Sequence, residues 1–141
     1  MKYRVFLDTN VFIYSFEFPD SNNSKIIDLL NEGEIEAIIS ERVLKEIVEY
    51  FKRKHSANLA NKFRRYLLDT CIIVINDDLA EQINKLKGKI KEKDIEQLAT
   101  TKKYGIKFLI SYDRDFLGFE EYLTPKKFLE VIGIKTSENE F

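Results

Sequence analysis

The chain has 141 residues, 44% hydrophobic and 33% charged, a composition that suits one domain built around one core. Its 23 Lys and Arg against 24 Asp and Glu leave a net charge of −1, so no global basic field marks a nucleic-acid binder. The single cysteine, Cys71, and single histidine, His55, exclude an intramolecular disulfide and a thiolate zinc site within one chain, and leave Ser–His or Cys–His catalysis little to work with. Any catalysis here falls to carboxylates.

Short apolar runs alternate with helical patterns along the chain. "YRVFL" (3–7) predicts a first strand, followed by a helix over 10–16 and a turn-rich loop, "FPDSNNS" (18–24). A helix over 24–32 stops at Gly33, and "EAIIS" (36–40) predicts the second strand. Helices over 41–54 and 57–69 precede the strand "CIIVI" (71–75), which Cys71 heads as a small buried hydrophobe. Helices over 78–87 and 93–104 follow, the second stopped by Gly105, and then the strand "KFLIS" (107–111). "TPKKFLEVIG" closes the domain with Thr124 as N-cap, Pro125 in the first turn and Gly133 past the end.

The strands are continuous apolar runs rather than strict alternations, as expected where both faces are covered. The order predicts an α/β fold with a central, mainly parallel sheet of four or five strands flanked by helices. No repeat or linker divides the chain, so one domain over 1–135 and a loose polar tail over 136–141 are expected. His55, at a basic helix end, reads as a surface residue. Asp8 interrupts the first apolar run, so the N-terminus does not read as a signal peptide. No segment reaches the length of a membrane span, and the expected location is cytoplasmic.

In open parallel sheets, ligands bind at the carboxyl ends of strands. Asp8 stands at the end of the first strand. Asp113 and Asp115, in "SYDRDF", follow the end of the strand at 107–111. In "ERVLKEIVEYFKRK", Val43, Leu44, Ile47, Val48 and Phe51 form an apolar stripe with Glu46 at its margin and Glu49 nearly opposite. Glu46 can therefore reach along the domain surface into a cleft, and Glu49 points to water. Asp94 sits at the mouth of the helix beginning "KDIEQLATTKK".

Each acid also has a structural reading. Asp94 with Gln97 fits a capping box, as Asp78 does with Glu81; Glu46 can pair with Arg42; Asp113 and Asp115 suit a turn. Taken together, carboxylates at one rim repel unless a cation holds them, and hard oxygen ligands point to Mg²⁺ or Mn²⁺. A metal there activates water and stabilises charge on a phosphate.

These motifs resemble a PIN-domain nuclease. Asp8-Thr9-Asn10 after the first strand, Ser40 with Glu46 six residues on, "KDIEQLATTKKYG" and "LISYDRDF" occur in the family's order, and "LTPKKFL" suits its last helix. The size resembles VapC-type toxin ribonucleases. The resemblance implies metal-dependent hydrolysis of RNA phosphodiesters, with Asp8, Glu46, Asp94 and Asp113 as the acidic, metal-holding quartet. It further implies Asp115 as an accessory acid, with Asn10 and Ser111 orienting acids and water. It also implies a homodimer and an antitoxin partner that occupies the site.

"KLKGKIKEKD" places lysines just before Asp94, and Lys89, Lys91 and Lys93 are candidate phosphate contacts. Phe12, Tyr14, Phe16, Phe63 and Tyr66 read mainly as core, though an exposed apolar groove among them would suit a protein partner. Two other readings stay open: a PIN nuclease of RNA processing without an antitoxin, and a phosphoryl-transfer or receiver-like domain using Asp8 alone, with Glu46 and Asp94 as caps.

Overall fold

A computed structural model describes residues 2–137, apart from the side chains of Asn76, Asp77 and Lys93. The candidate phosphate contact at Lys93 and residues 138–141 of the expected tail thus lie outside the described residues. Five strands form one sheet: β1 (Tyr3–Leu7), β2 (Ile35–Ser40), β3 (Cys71–Val74), β4 (Phe108–Ile110) and β5 (Tyr122–Leu123). Their order is β3-β2-β1-β4-β5, and every neighbouring pair is parallel. The chain is thus an α/β fold of the expected kind. The fifth strand, only two residues long, is too short to leave a periodic signal in the sequence.

Among the described residues, seven helices flank the sheet: α1 (Thr9–Glu17), α2 (Asn22–Asn31), α3 (Glu41–Lys54), α4 (Ala57–Thr70), α5 (Ala80–Leu86), α6 (Glu92–Lys103) and α7 (Pro125–Val131). Val5, Phe6 and Leu7 are consecutive in β1 and each 0% exposed. Successive strand side chains point to opposite faces, so both faces of the sheet are covered. α3 and α4 pack as an antiparallel pair, with the Phe51 and Phe63 rings stacked 3.9 Å apart at 6°. Among the described residues no helix is long and apolar enough to cross a membrane.

The helix starts follow side-chain chemistry. Ser21, Ser40, Ser56 and Thr124 each accept a hydrogen bond from a backbone N–H in the first turn of α2, α3, α4 and α7. Gly105, at φ 60°, takes the left-handed turn that ends α6.

Four local expectations need correction. The turn-rich stretch 18–24 is loop only as far as Ser21, because the Ser21 cap starts α2 at Asn22. Asn22 and Asn23 are then 0% exposed, their amides holding distant groups. The helix expected over 78–87 is a 3-10 turn (Asn76–Leu79) running into α5. Because that turn leads straight into α5, no side chain caps the helix, and Glu81 pairs with Lys85 at 3.3 Å instead of boxing with Asp78. Cys71 is partly buried, which pushes its thiol up to about 11 and makes it a poor nucleophile. His55 is exposed, as its basic helix end suggested, with Nε2 2.8 Å from Glu17 Oε1, which ties the C-terminal ends of α1 and α3.

Ser40 links β2 to α3, and its fully buried hydroxyl accepts from Val43 N–H at 3.2 Å. Ser40→Ala is expected to cost about 1 kcal/mol, lowering the melting temperature by about 4 °C in a thermal scan.

Candidate active site

β1 and β4 are parallel neighbours, with Leu7 opposite Ile110. The ladder continues one step past both strands, since Asp8 N–H donates to the Ile110 carbonyl at 3.0 Å. Side chains separated by 103 residues in sequence therefore meet: Ser111 Oγ donates to Asp8 Oδ2 at 2.6 Å. The same oxygen accepts from Asp113 N–H at 2.9 Å, so Ser111 fixes both acids from one position. Asp8 Oδ1 in turn accepts from Thr9 N–H at the start of α1.

The floor of the cleft is carboxylate. Oxygens of Asp94, Asp113 and Asp115 lie within 4.8 Å of one another. Asp94 is only 4% exposed. It does not cap its helix: α6 begins at Glu92 with Lys91 at the N-cap, and Asp94 N–H donates to the Lys91 carbonyl. Asp94 thus sits within the first turn of α6, where the helix dipole favours its negative charge. The turn reading of Asp113 does hold, since its Oδ1 accepts from Asp115 N–H at 2.9 Å. That same turn aims Asp115 into the triad.

Lys91 Nζ lies 3.3 Å from Asp115 Oδ2 and brings one positive charge to the group. Three clustered carboxylates, one of them buried, still leave surplus negative charge, and the donor set is entirely hard oxygen. These residues fit a divalent cation such as Mg²⁺ or Mn²⁺.

Asp8, Glu46, Asp94 and Asp113 all line one cleft of about 350 Å³, with Thr9, Asn10, Arg42, Gln97 and Tyr112. Glu46 stands apart from the triad. Its Oε1 accepts from Thr9 Oγ1 at 2.9 Å, and Arg42 only attracts it from a distance. Neither Glu46 nor Asp94 is a helix cap, which removes the basis of the single-Asp receiver-like reading.

Three contributors escaped the sequence reading. Thr9 positions Glu46. Gln97 reaches Asp8 rather than boxing with Asp94. Glu96, 8% exposed, accepts from Arg42 N–H at 3.2 Å and repels Glu46. Only Thr9 carried a signal, its place between Asp8 and Asn10.

Burial raises the pKa of Asp8 most, and the Asp113 charge raises it further. Hydrogen bonds from Ser111, Thr9 and Gln97 oppose the shift without cancelling it. Glu46 is also raised, first by desolvation and then by Asp8 and Glu96.

Residues 5–121 match the family model for the PIN domain, and the chain belongs to that family. No curated protein matches the chain at a significant level. Among solved structures, it is similar to a chain of a toxin–antitoxin complex from Klebsiella pneumoniae. That likeness has 26% identity and a TM-score of 0.69, covering 86% of this chain and 97% of the other. It also shares its fold with DNA-bound VapBC from Salmonella typhimurium at 11% identity and TM-score 0.68, covering 87% of this chain and 98% of that one. VapC20 of Mycobacterium tuberculosis, a toxin that cleaves the sarcin–ricin loop, matches at 18% identity and TM-score 0.60, with coverage of 79% and 92%.

A raised folded-state pKa means that keeping Asp8 ionised costs stability. That cost is absent below its ordinary value of 3.8 and complete above the folded-state pKa. In EDTA at pH 7, Asp8→Asn should melt at the same temperature as the native chain or higher. The gap should shrink as pH falls toward 4. A strongly lowered melting temperature at pH 7 would instead make Asp8 a structural residue.

Proposed function

We propose that the chain is a metal-dependent endoribonuclease of the VapC type, the toxin of a toxin–antitoxin pair. The observation that carries this reading is the convergence of Asp8, Glu46, Asp94 and Asp113 in one cleft of a PIN domain, with Asp115 beside Asp94 and Asp113. The likeness to a toxin–antitoxin chain at 26% identity supports the toxin assignment over a processing nuclease.

Asp94, Asp113 and Asp115 would hold the ion, with Asp8 and Glu46 completing the set from the other side of the cleft. Mg²⁺ or Mn²⁺ bound there would supply a water of lowered pKa and neutralise charge on the phosphate. The chain's own residues set the geometry. Ser111 keeps Asp8 and Asp113 aligned, Thr9 holds Glu46 at the opposite wall, and Asn10 adds an amide at the mouth.

Single-stranded RNA is the proposed substrate. Lys87, Lys89 and Lys91 are exposed on the turn that leads into Asp94, where amines can meet phosphates that the carboxylates would repel. An apolar groove of about 410 Å³ between α1, α2 and α4, walled by Phe12, Phe16, Ile27, Leu59, Phe63 and Tyr66, offers an antitoxin a surface. A homodimer is part of the proposal: exposed Leu68, Ile72 and Ile75 lie beside edge strand β3, where a second copy would cover them.

The first test is cleavage of mixed single-stranded RNA and DNA in Mn²⁺ or EDTA, by the native chain and Asp113→Asn. RNA cutting that needs the metal and drops at least 100-fold in the variant is expected. Cutting that persists in EDTA, or in Asp113→Asn, would sink the carboxylate reading.

A second test addresses the lysines. Replacing Lys89 and Lys91 with Gln should weaken RNA binding and reduce the slope of log K against log salt by about 0.7 for each lost contact. An unchanged slope would take these two amines out of the interface.

A further inference from the structure

We infer that Tyr112, with Tyr14 and Phe18 behind it, forms a subsite that stacks a nucleobase beside the carboxylate cleft. This rests on the reading of the chain as a nuclease for single-stranded RNA and adds how the strand is gripped.

Tyr112 lies between Ser111 and Asp113, the two residues that fix Asp8 and enter the acid triad, and it lines the same cleft. Its backbone is clamped on both sides. Ser111 N–H donates to the Leu123 carbonyl at 3.1 Å, and Asp113 N–H donates to Ser111 Oγ. The ring tip is held as well: Asn23 Nδ2 donates to Tyr112 Oη at 2.9 Å. Asn23 is 0% exposed, set in the first turn of α2 by the Ser21 cap. Its Oδ1 has no hydrogen-bond partner, so this buried amide is committed to the tyrosine alone. A buried side chain spent on orienting a cleft-lining ring is more than packing requires.

The ring has company. Tyr14 lies 5.5 Å from Tyr112 at 52°, and Phe18 lies 5.8 Å from Tyr14 at 65°. These tilted contacts differ from the parallel Phe51–Phe63 stack in the core, where each ring uses up a face of the other. Tyr14 and Tyr112 stay partly exposed, and Phe18 is 48% exposed. The aromatic strip thus runs outward from the acids along the C-terminal half of α1.

A nucleotide whose phosphate is held at the acid cluster through a bound cation carries its base one sugar away. Tyr112 stands within that reach, and an aromatic face accepts any base without reading its edge. Its two side-chain torsions are already fixed, so little entropy is lost on stacking.

The test uses fluorescein-labelled 12-nucleotide oligo(A) and an abasic ribose-phosphate oligomer of the same length and charge. Binding is followed by anisotropy in Ca²⁺, so that the acid cluster can hold a cation while Mg²⁺ and Mn²⁺ are absent, for the native chain, Tyr112→Phe and Tyr112→Leu. The native chain should bind oligo(A) on the order of tenfold more tightly than the abasic oligomer. Tyr112→Phe should keep most of that preference and Tyr112→Leu should lose it, with abasic binding alike in all three. A preference unchanged in Tyr112→Leu would overturn the subsite. An equal loss on both oligomers would make Tyr112 a structural residue, or the anchor of a protein partner. If the native chain binds neither oligomer, the nuclease reading fails as well.

Discussion

The parallel pairing of β1 with β4 is the constraint from which the site follows. The chain passes from β1 to β2 on one side and reaches β4 on the other only after 100 residues, so a crevice opens where the direction of winding reverses. Register then decides chemistry. With Leu7 opposite Ile110, the next residues out are Asp8 and Ser111, and their side chains are in hydrogen-bond contact. A slip of one residue would turn Asp8 to the other face of the sheet. Val5, Phe6 and Leu7, fully buried, prevent it, because the same slip would pull an apolar set out of its packing.

The helices add acids at positions that their own packing fixes. α6 brings Asp94 in on its first turn because Ile95, Leu98 and Ala99 behind it are buried. α3 brings Glu46 because Val43, Ile47 and Phe51 anchor its other side. The energetic consequence is opposition between core and cleft: apolar burial holds in place carboxylates that repel one another. Asp8 and Glu46 have raised pKa values first because burial desolvates them and then because neighbouring carboxylates repel them. Stability is thus generated away from the chemistry and spent at it.

Much of this was legible in the sequence, and the limits have physical causes. Continuous apolar runs reported four strands and their burial; β5 is too short to show any pattern. Strand ends located Asp8 and Asp113, and the margin of an apolar stripe located Glu46. Local motifs misled where tertiary geometry competes with them. Asp94 and Gln97 have the spacing of a capping box, but α6 has its N-cap at Lys91, three residues earlier, and frees both side chains for the cleft. Asn22 and Asn23 look like loop residues, yet the Ser21 cap draws them into a helix and buries them. Gln97 and Glu96 act through contacts across the fold, which no local pattern encodes.

Net charge is a poor guide to this surface, because the charges are sorted by position. Gly88, at φ 82°, breaks the run between α5 and α6 into a tight turn closed by a bridge from Lys87 to Ile90. The turn stacks amines on the approach to a helix whose first residues are acidic. Lys91 stands at the boundary: its carbonyl anchors Asp94, and its amine meets Asp115. Under the proposed function, an anionic strand arriving at the cleft would meet cations first and carboxylates last. Because attraction falls off within about 8 Å in physiological salt, this local order matters more than the total of −1. For the proposed RNA ligand, such sorting would stand in for an overall basic field.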